Sequence, residues 1–143
     1  MLKNPNFEGG LQNWNYGGIH QVDGKVSSVN VKTGAKYFGM YQDSPAPVVT
    51  RQLTIKQTGF ATPVGSNYQV KIWANRVSGN CAFTGNLQDQ VVISRSGVIA
   101  TGWAEVTAYV TAEKAVSNFV IRFTCSSVGI QDYVVDDVQL VKL

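Results

Sequence analysis

The chain has 143 residues, a formal net charge of +3 and only 15% charged residues, enough length for one domain with a sizeable core. Its Lys and Arg are scattered singly, which argues against the clustered cationic footprint of a nucleic-acid-binding protein. No stretch approaches the ~18 consecutive apolar residues of a membrane span, so neither nucleic acid nor a membrane span is expected.

Met1-Leu2-Lys3 runs directly into Asn-Pro-Asn, without the apolar stretch of a secretory leader, and a leader is expected to have been removed. The stretch LKNPNFEGGLQNW (2–14) then sets Glu8 between an aromatic and a Gly-Gly turn. NYGGIHQVDG follows, and its His20, the only histidine, reads as a loop residue. Beyond it, short alternating segments recur at roughly 26–31, 36–42, 48–56, 68–76, 81–87, 90–94, 104–110, 118–125 and 133–141. Gly9-Gly10, Gly17-Gly18, Gly65-Ser66-Asn67, Ser78-Gly79-Asn80 and Ser96-Gly97 supply turn signals. Helical periodicity is weak, with one short candidate turn near Thr111–Val116. About nine short strands at this spacing predict an all-β sandwich or barrel.

Alternation assigns faces to these strands. In YQVKIWAN, Tyr68, Val70, Ile72 and Ala74 oppose Gln69, Lys71, Trp73 and Asn75. In WAEVTAYV, Ala104, Val106, Ala108 and Val110 oppose Trp103, Glu105, Thr107 and Tyr109. In FVIRFTC, Phe119, Ile121, Phe123 and Cys125 oppose Val120, Arg122 and Thr124. A solvated outer face is normally Thr, Lys, Ser and Glu, so Trp73 and Tyr109 stand out. With Lys71, Asn75, Glu105 and Arg122 they would form a platform for a flat, polar-edged ligand if their strands share a sheet. The other reading has a loop covering Trp73 and extending the core. Cys81 falls on the same face as Phe83 and Leu87, so both cysteines lie on apolar sides of strands. One disulfide or two buried thiols would fit, and the setting favours the disulfide. Closing that ~45-residue loop would contribute roughly 4 kcal/mol in the chain-entropy treatment.

Catalytic constellations are thin. One histidine and two cysteines cannot build a zinc site of the usual kind, and neither a nucleophile elbow nor a phosphate-cradling loop is present. A glycosidase needs two carboxylates across a cleft, whereas Glu105 is the single acid on the expected platform. An enzyme is not expected.

The terminal stretch DYVVDDVQLVKL (132–143) carries adjacent carboxylates among valines. Strict alternation puts Asp136 with Val134, Val138 and Leu140. If that is the core face, the charge requires a partner: a cation, a Lys or Arg, or backbone N–H groups.

Asn4, Phe7, Glu8, Gly10 and Trp14 at one end, and Asp136, Asp137, Val138 and Leu140 at the other, form an ordered set with Gly65, Tyr68, Val70 and Trp103. In this the chain resembles the jelly-roll carbohydrate-binding modules of families 4, 9, 16 and 22, across residues 1–143. The strand-borne Cys81–Cys125 pair is similar to that of fungal secreted members. The resemblance implies a jelly-roll β-sandwich of two antiparallel sheets and extracellular location. It also implies a structural calcium ion held by Glu8 and Asp136, helped by carbonyls near 33–36, which suits a hard cation. The implied function is non-catalytic binding of a polysaccharide or oligosaccharide of β-glucan or xylan type, with an attached catalytic domain as a possible partner. The alternative is a secreted protein on the same scaffold that binds another protein or a cell surface and has no sugar site.

Overall fold

Alternating segments separated by turn residues become ten strands in the computed structural model, which describes residues 2–3, 12–19, 23–27, 37–44, 50–95 and 102–143. They are β1 (Asn15–Ile19), β2 (Asp23–Ser27), β3 (Tyr37–Ser44), β4 (Arg51–Ala61), β5 (Asn67–Ser78), β6 (Cys81–Leu87), β7 (Gln90–Arg95), β8 (Gly102–Thr111), β9 (Val116–Cys125) and β10 (Gly129–Lys142). Two five-stranded sheets result, with orders β1-β4-β9-β6-β7 and β2-β3-β10-β5-β8. Every pairing is antiparallel. The two-sheet, all-β expectation is met.

The apolar sets predicted by alternation meet between the sheets. Leu53 and Ile55 of β4, Phe83 and Leu87 of β6 and Phe119, Ile121 and Phe123 of β9 come from one side. Val70, Ile72 and Ala74 of β5, Val106 and Val110 of β8, and Tyr133, Val135, Val138 and Leu140 of β10 come from the other. Each large side chain so buried contributes roughly 1.5–3 kcal/mol. The rings of Phe83 and Phe123 lie 5.2 Å apart and those of Phe123 and Tyr133 5.4 Å, within the range of favourable tilted pairs. Cys81 and Cys125 are directly opposite in the β6–β9 pair, with Cα atoms 4.3 Å apart, and are joined as a disulfide.

Three expectations are corrected. β1 was not anticipated, because the glycines of Asn15–Ile19 carry no alternation; its pairing with β4 makes it a strand. The segment between Thr111 and Val116 is not a helical turn. Its backbone is engaged elsewhere: Ala112 N–H donates to the Ser66 carbonyl at 2.9 Å, and the Ala112 carbonyl accepts from Gly65 N–H at 2.8 Å. Gln88, at φ 58°, donates from Nε2 to the Lys114 carbonyl at 2.9 Å and to Ser117 Oγ at 2.8 Å. Ser117 and the buried Thr62 also bond through their hydroxyls, so this polar cluster satisfies itself. The third correction concerns β10. Asp136 pairs with Trp73 but Gln139 pairs with Lys71, so three steps on β10 oppose two on β5. Asp137, at φ 49°, is the extra residue of this β-bulge. Strict alternation therefore fails there. Val138 and Leu140 face the core, whereas Val134 and Asp136 lie on the other face of the sheet, and Val134 is outside the core cluster.

Candidate functional site

The β5–β8 pairing decides which predicted residues come together. Its register sets Asn75 opposite Trp103, Trp73 opposite Glu105, Lys71 opposite Thr107 and Gln69 opposite Tyr109. Directly opposed residues share a face, and Val70, Ile72, Ala74 and Val106 occupy the core face between them. Trp73, Lys71, Asn75, Glu105 and Tyr109 thus lie on one outer surface. Trp73, Lys71 and Asn75 are half-buried, Glu105 is exposed, and Tyr109 is 67% exposed.

Arg122 does not join them. It is exposed on β9, in the other sheet, opposite Thr54 of β4 and Thr84 of β6. Alternation reports which way a side chain points relative to its own sheet; membership of a sheet is set by long-range pairing. Trp103 and Gln69 lie on the same surface, in addition to the predicted platform residues. Both carried the same signal as their neighbours, namely their position in the alternation.

Several polar atoms of this surface are already oriented. Gln69 Nε2 donates to Tyr109 Oη at 2.9 Å, which leaves the phenol O–H to donate outward. Thr107 Oγ1 donates to Glu105 Oε1 at 3.0 Å, and Gly102 N–H donates to Asn75 Oδ1 at 3.1 Å. An ammonium, a carboxylate, two amides and a phenol thus stand beside two indoles. That set can bond hydroxyl groups and stack on a ring face.

Asp136 is fully buried and Asp137 half-buried. Asp136 Oδ1 accepts from Asp137 N–H at 2.8 Å, and its register partner is Trp73. A buried carboxylate oxygen suits a hard cation. Among the described residues no three His, Cys, Asp or Glu side chains gather around one metal position. Glu8 and residues 33–36 lie outside the described residues, as does His20.

No protein-family model and no curated protein matches the chain. Solved structures do. TmCBM61 in complex with β-1,4-galactotriose superposes with a TM-score of 0.75 at 21% identity, covering 99% of this chain and 97% of that one. The enzymatically active domain of bacteriophage CBA120 tailspike protein 4 gives 0.73 at 12% identity, over 99% of this chain and 21% of that one. The CBM22-1–GH10 modules of Clostridium thermocellum endo-1,4-β-D-xylanase 10B, complexed with xylohexaose, give 0.69 at 18% identity, over 96% and 28%. This chain therefore spans between a fifth and a third of the two larger proteins and nearly all of the first. By its architecture it has the β-sandwich fold of the carbohydrate-binding modules.

Proposed function

We propose that this protein is a secreted, non-catalytic carbohydrate-binding module that holds polysaccharide on the outer face of β5 and β8. The observation that carries the reading is the register that sets Trp73 opposite Glu105, between Lys71 and Asn75 and away from the core. The Trp73 and Trp103 indoles and the Tyr109 ring supply stacking surfaces, and the amide, ammonium and carboxylate bond hydroxyls. Ligands of β-glucan or xylan type fit this chemistry, and the galactotriose bound by TmCBM61 adds β-1,4-galactan to the candidates. In a longer parent chain the module would hold a catalytic domain on its substrate. The disulfide agrees with an oxidising, extracellular setting.

Affinity electrophoresis in soluble glucan, xylan and galactan tests this. Trp73→Ala is expected to abolish most retardation while leaving the melting temperature within about 2 °C, a shift worth under ~1 kcal/mol for a chain of this size. Unfolding of the variant would assign Trp73 to the core instead. If no glycan binds, a protein-binding role on the same scaffold takes its place.

A second reading puts the sugar on the opposite sheet, around Arg122. It is favoured by the exposure of that guanidinium on a central strand with Thr54 and Thr84 directly across. Arg122→Ala separates the two: a β5–β8 site leaves its binding unchanged, and a β9-centred site loses it.

Calcium would be held by Asp136 together with Glu8, and bound to the native state it would raise stability by mass action. EDTA is expected to lower the melting temperature of the wild type and to leave Asp136→Ala unaffected. Identical wild-type curves with and without EDTA, and no metal by mass spectrometry, would refute it.

A further inference from the structure

A strand at the edge of a sheet leaves N–H and C=O groups open to another strand, and proteins blunt such edges with shortness, charge, proline or bulges. Among the described residues the two sheets end in four edge strands, β1 and β7 in one and β2 and β8 in the other. β1 is five residues long and contains Gly17 and Gly18. β2 is also five residues long and carries Asp23 and Lys25. β7 has six residues and a bulge against β6, where Gly85 pairs with Ile93 but Asn86 with Val91. β8 has none of these devices. It runs for ten residues, GWAEVTAYVT, in unbroken register with β5, and Glu105 is its one charge.

The backbone shows which groups of β8 are open. Asn67 turns its carbonyl toward β10, where it accepts from Leu143 N–H at 2.9 Å. Backbone groups in an antiparallel pair alternate between bonded and non-bonded positions, so Thr111, the partner of Asn67, turns its own away from β5. On that side the Thr111 carbonyl accepts from Gln90 Nε2 of β7 at 3.4 Å. Counting back by twos, Trp103, Glu105, Thr107 and Tyr109 present their N–H and C=O groups to the open side. A second copy laid antiparallel about Val106 meets all four. Trp103 then opposes the partner's Tyr109, and Glu105 opposes the partner's Thr107, each twice by symmetry, for about eight main-chain hydrogen bonds. On the core side Ala104 meets the partner's Ala108. A one-residue slip would mismatch the faces. A two-residue slip one way sets Glu105 against the partner's Glu105, and the other way directs Trp103 to the carbonyl that Gln90 already uses. We propose that β8 is a self-pairing edge, and that the protein forms a two-fold dimer through it in which two five-stranded sheets become one. Aromatic cross-strand pairs and the absence of opposed like charges favour a second copy as the occupant.

Sedimentation equilibrium of the whole chain between about 20 µM and 2 mM tests this, a range suited to an interface made chiefly of one strand pair. A monomer–dimer equilibrium is expected within it. Thr107→Glu sets like charges against the partner's Glu105 at both symmetric positions and should weaken dimerisation about fivefold or more. Thr107→Lys sets opposite charges there and should strengthen it about twofold or more at low salt. Denaturation curves check the fold of both variants. In the wild type, exchange of the Trp103, Glu105, Thr107 and Tyr109 amides should slow as concentration rises. A protein that stays monomeric throughout, or whose β8 amides exchange independently of concentration, overturns the proposal. Equal effects of the two variants, or none, overturn it as well, because the contact then lies in another register or on another surface.

Discussion

Gly79 stands at φ +92°, and a Cβ built on it would lie 2.1 Å from Gln131 Oε1 and 2.9 Å from Gln131 Cα. The side-chain amide can swing aside, but the backbone atom cannot. Gly102, at φ +94°, has open space around the same position. Both substitutions strain the backbone, and only one adds a clash. Gly79→Ala is therefore expected to cost about 2–3 kcal/mol and Gly102→Ala about 1 kcal/mol, read from urea denaturation midpoints. Equal losses would refute the role of Gln131. Next to Gly79, the buried Tyr133 hydroxyl accepts from Cys81 N–H at 2.8 Å and donates to the Gly79 carbonyl at 3.3 Å. Tyr133→Phe strands that buried N–H and should cost about 1–3 kcal/mol by the same measurement.

At the scale of elements, two crosslinks of different chemistry tie the first sheet together. The Cys81–Cys125 disulfide joins β6 to β9, and thiol titration of the denatured, unreduced protein should find no free thiol. Cys81→Ala with Cys125→Ala should lower stability by roughly 4 kcal/mol. The second crosslink is the hydroxyl and amide cluster of Thr62, Gln88 and Ser117, which fastens the β8–β9 connection to the β6–β7 turn. Gln88→Ala leaves Glu113 N–H without its 3.1 Å acceptor and should cost about 1–3 kcal/mol. Beside it, the Lys114–Asp89 ion pair lies in solvent. The hydrogen bond and charge of Asp89 raise the Lys114 pKa. A raised lysine stabilises the fold below its ordinary value and loses that contribution as pH rises through the raised one. The contribution is thus present at neutral pH and lost only in alkaline solution, and screening makes it small. Asp89→Asn should leave the midpoint unchanged at neutral pH.

For the molecule as a whole, binding should not behave as charge attraction. The outer face of β5 and β8 carries one cation, Lys71, and one anion, Glu105, and the net charge is +3 over the chain. Glycan affinity is expected to change less than about twofold between 50 and 500 mM salt. A phosphate-binding surface would lose orders of magnitude across a similar range. A steep salt slope, or retardation of duplex DNA at physiological salt, would exclude a neutral glycan as the ligand.

Period-two patterning in YQVKIWAN, WAEVTAYV and FVIRFTC was sufficient to identify strands, core residues and the outward set of Trp73, Tyr109 and their neighbours, because burial and pleat act within a single strand. The cysteine positions beside Phe83 and Phe123 were legible for the same reason. Three things were not. β1 depends on β4 for its existence, Arg122 depends on which strands pair with β9, and Asp136 depends on an αL residue that shifts the register of β10 by one. Pairing and bulges are interactions between segments far apart in the chain, and local alternation carries no record of them. The shared surface of Trp73, Glu105, Trp103 and Tyr109 exists only once β5 lies against β8.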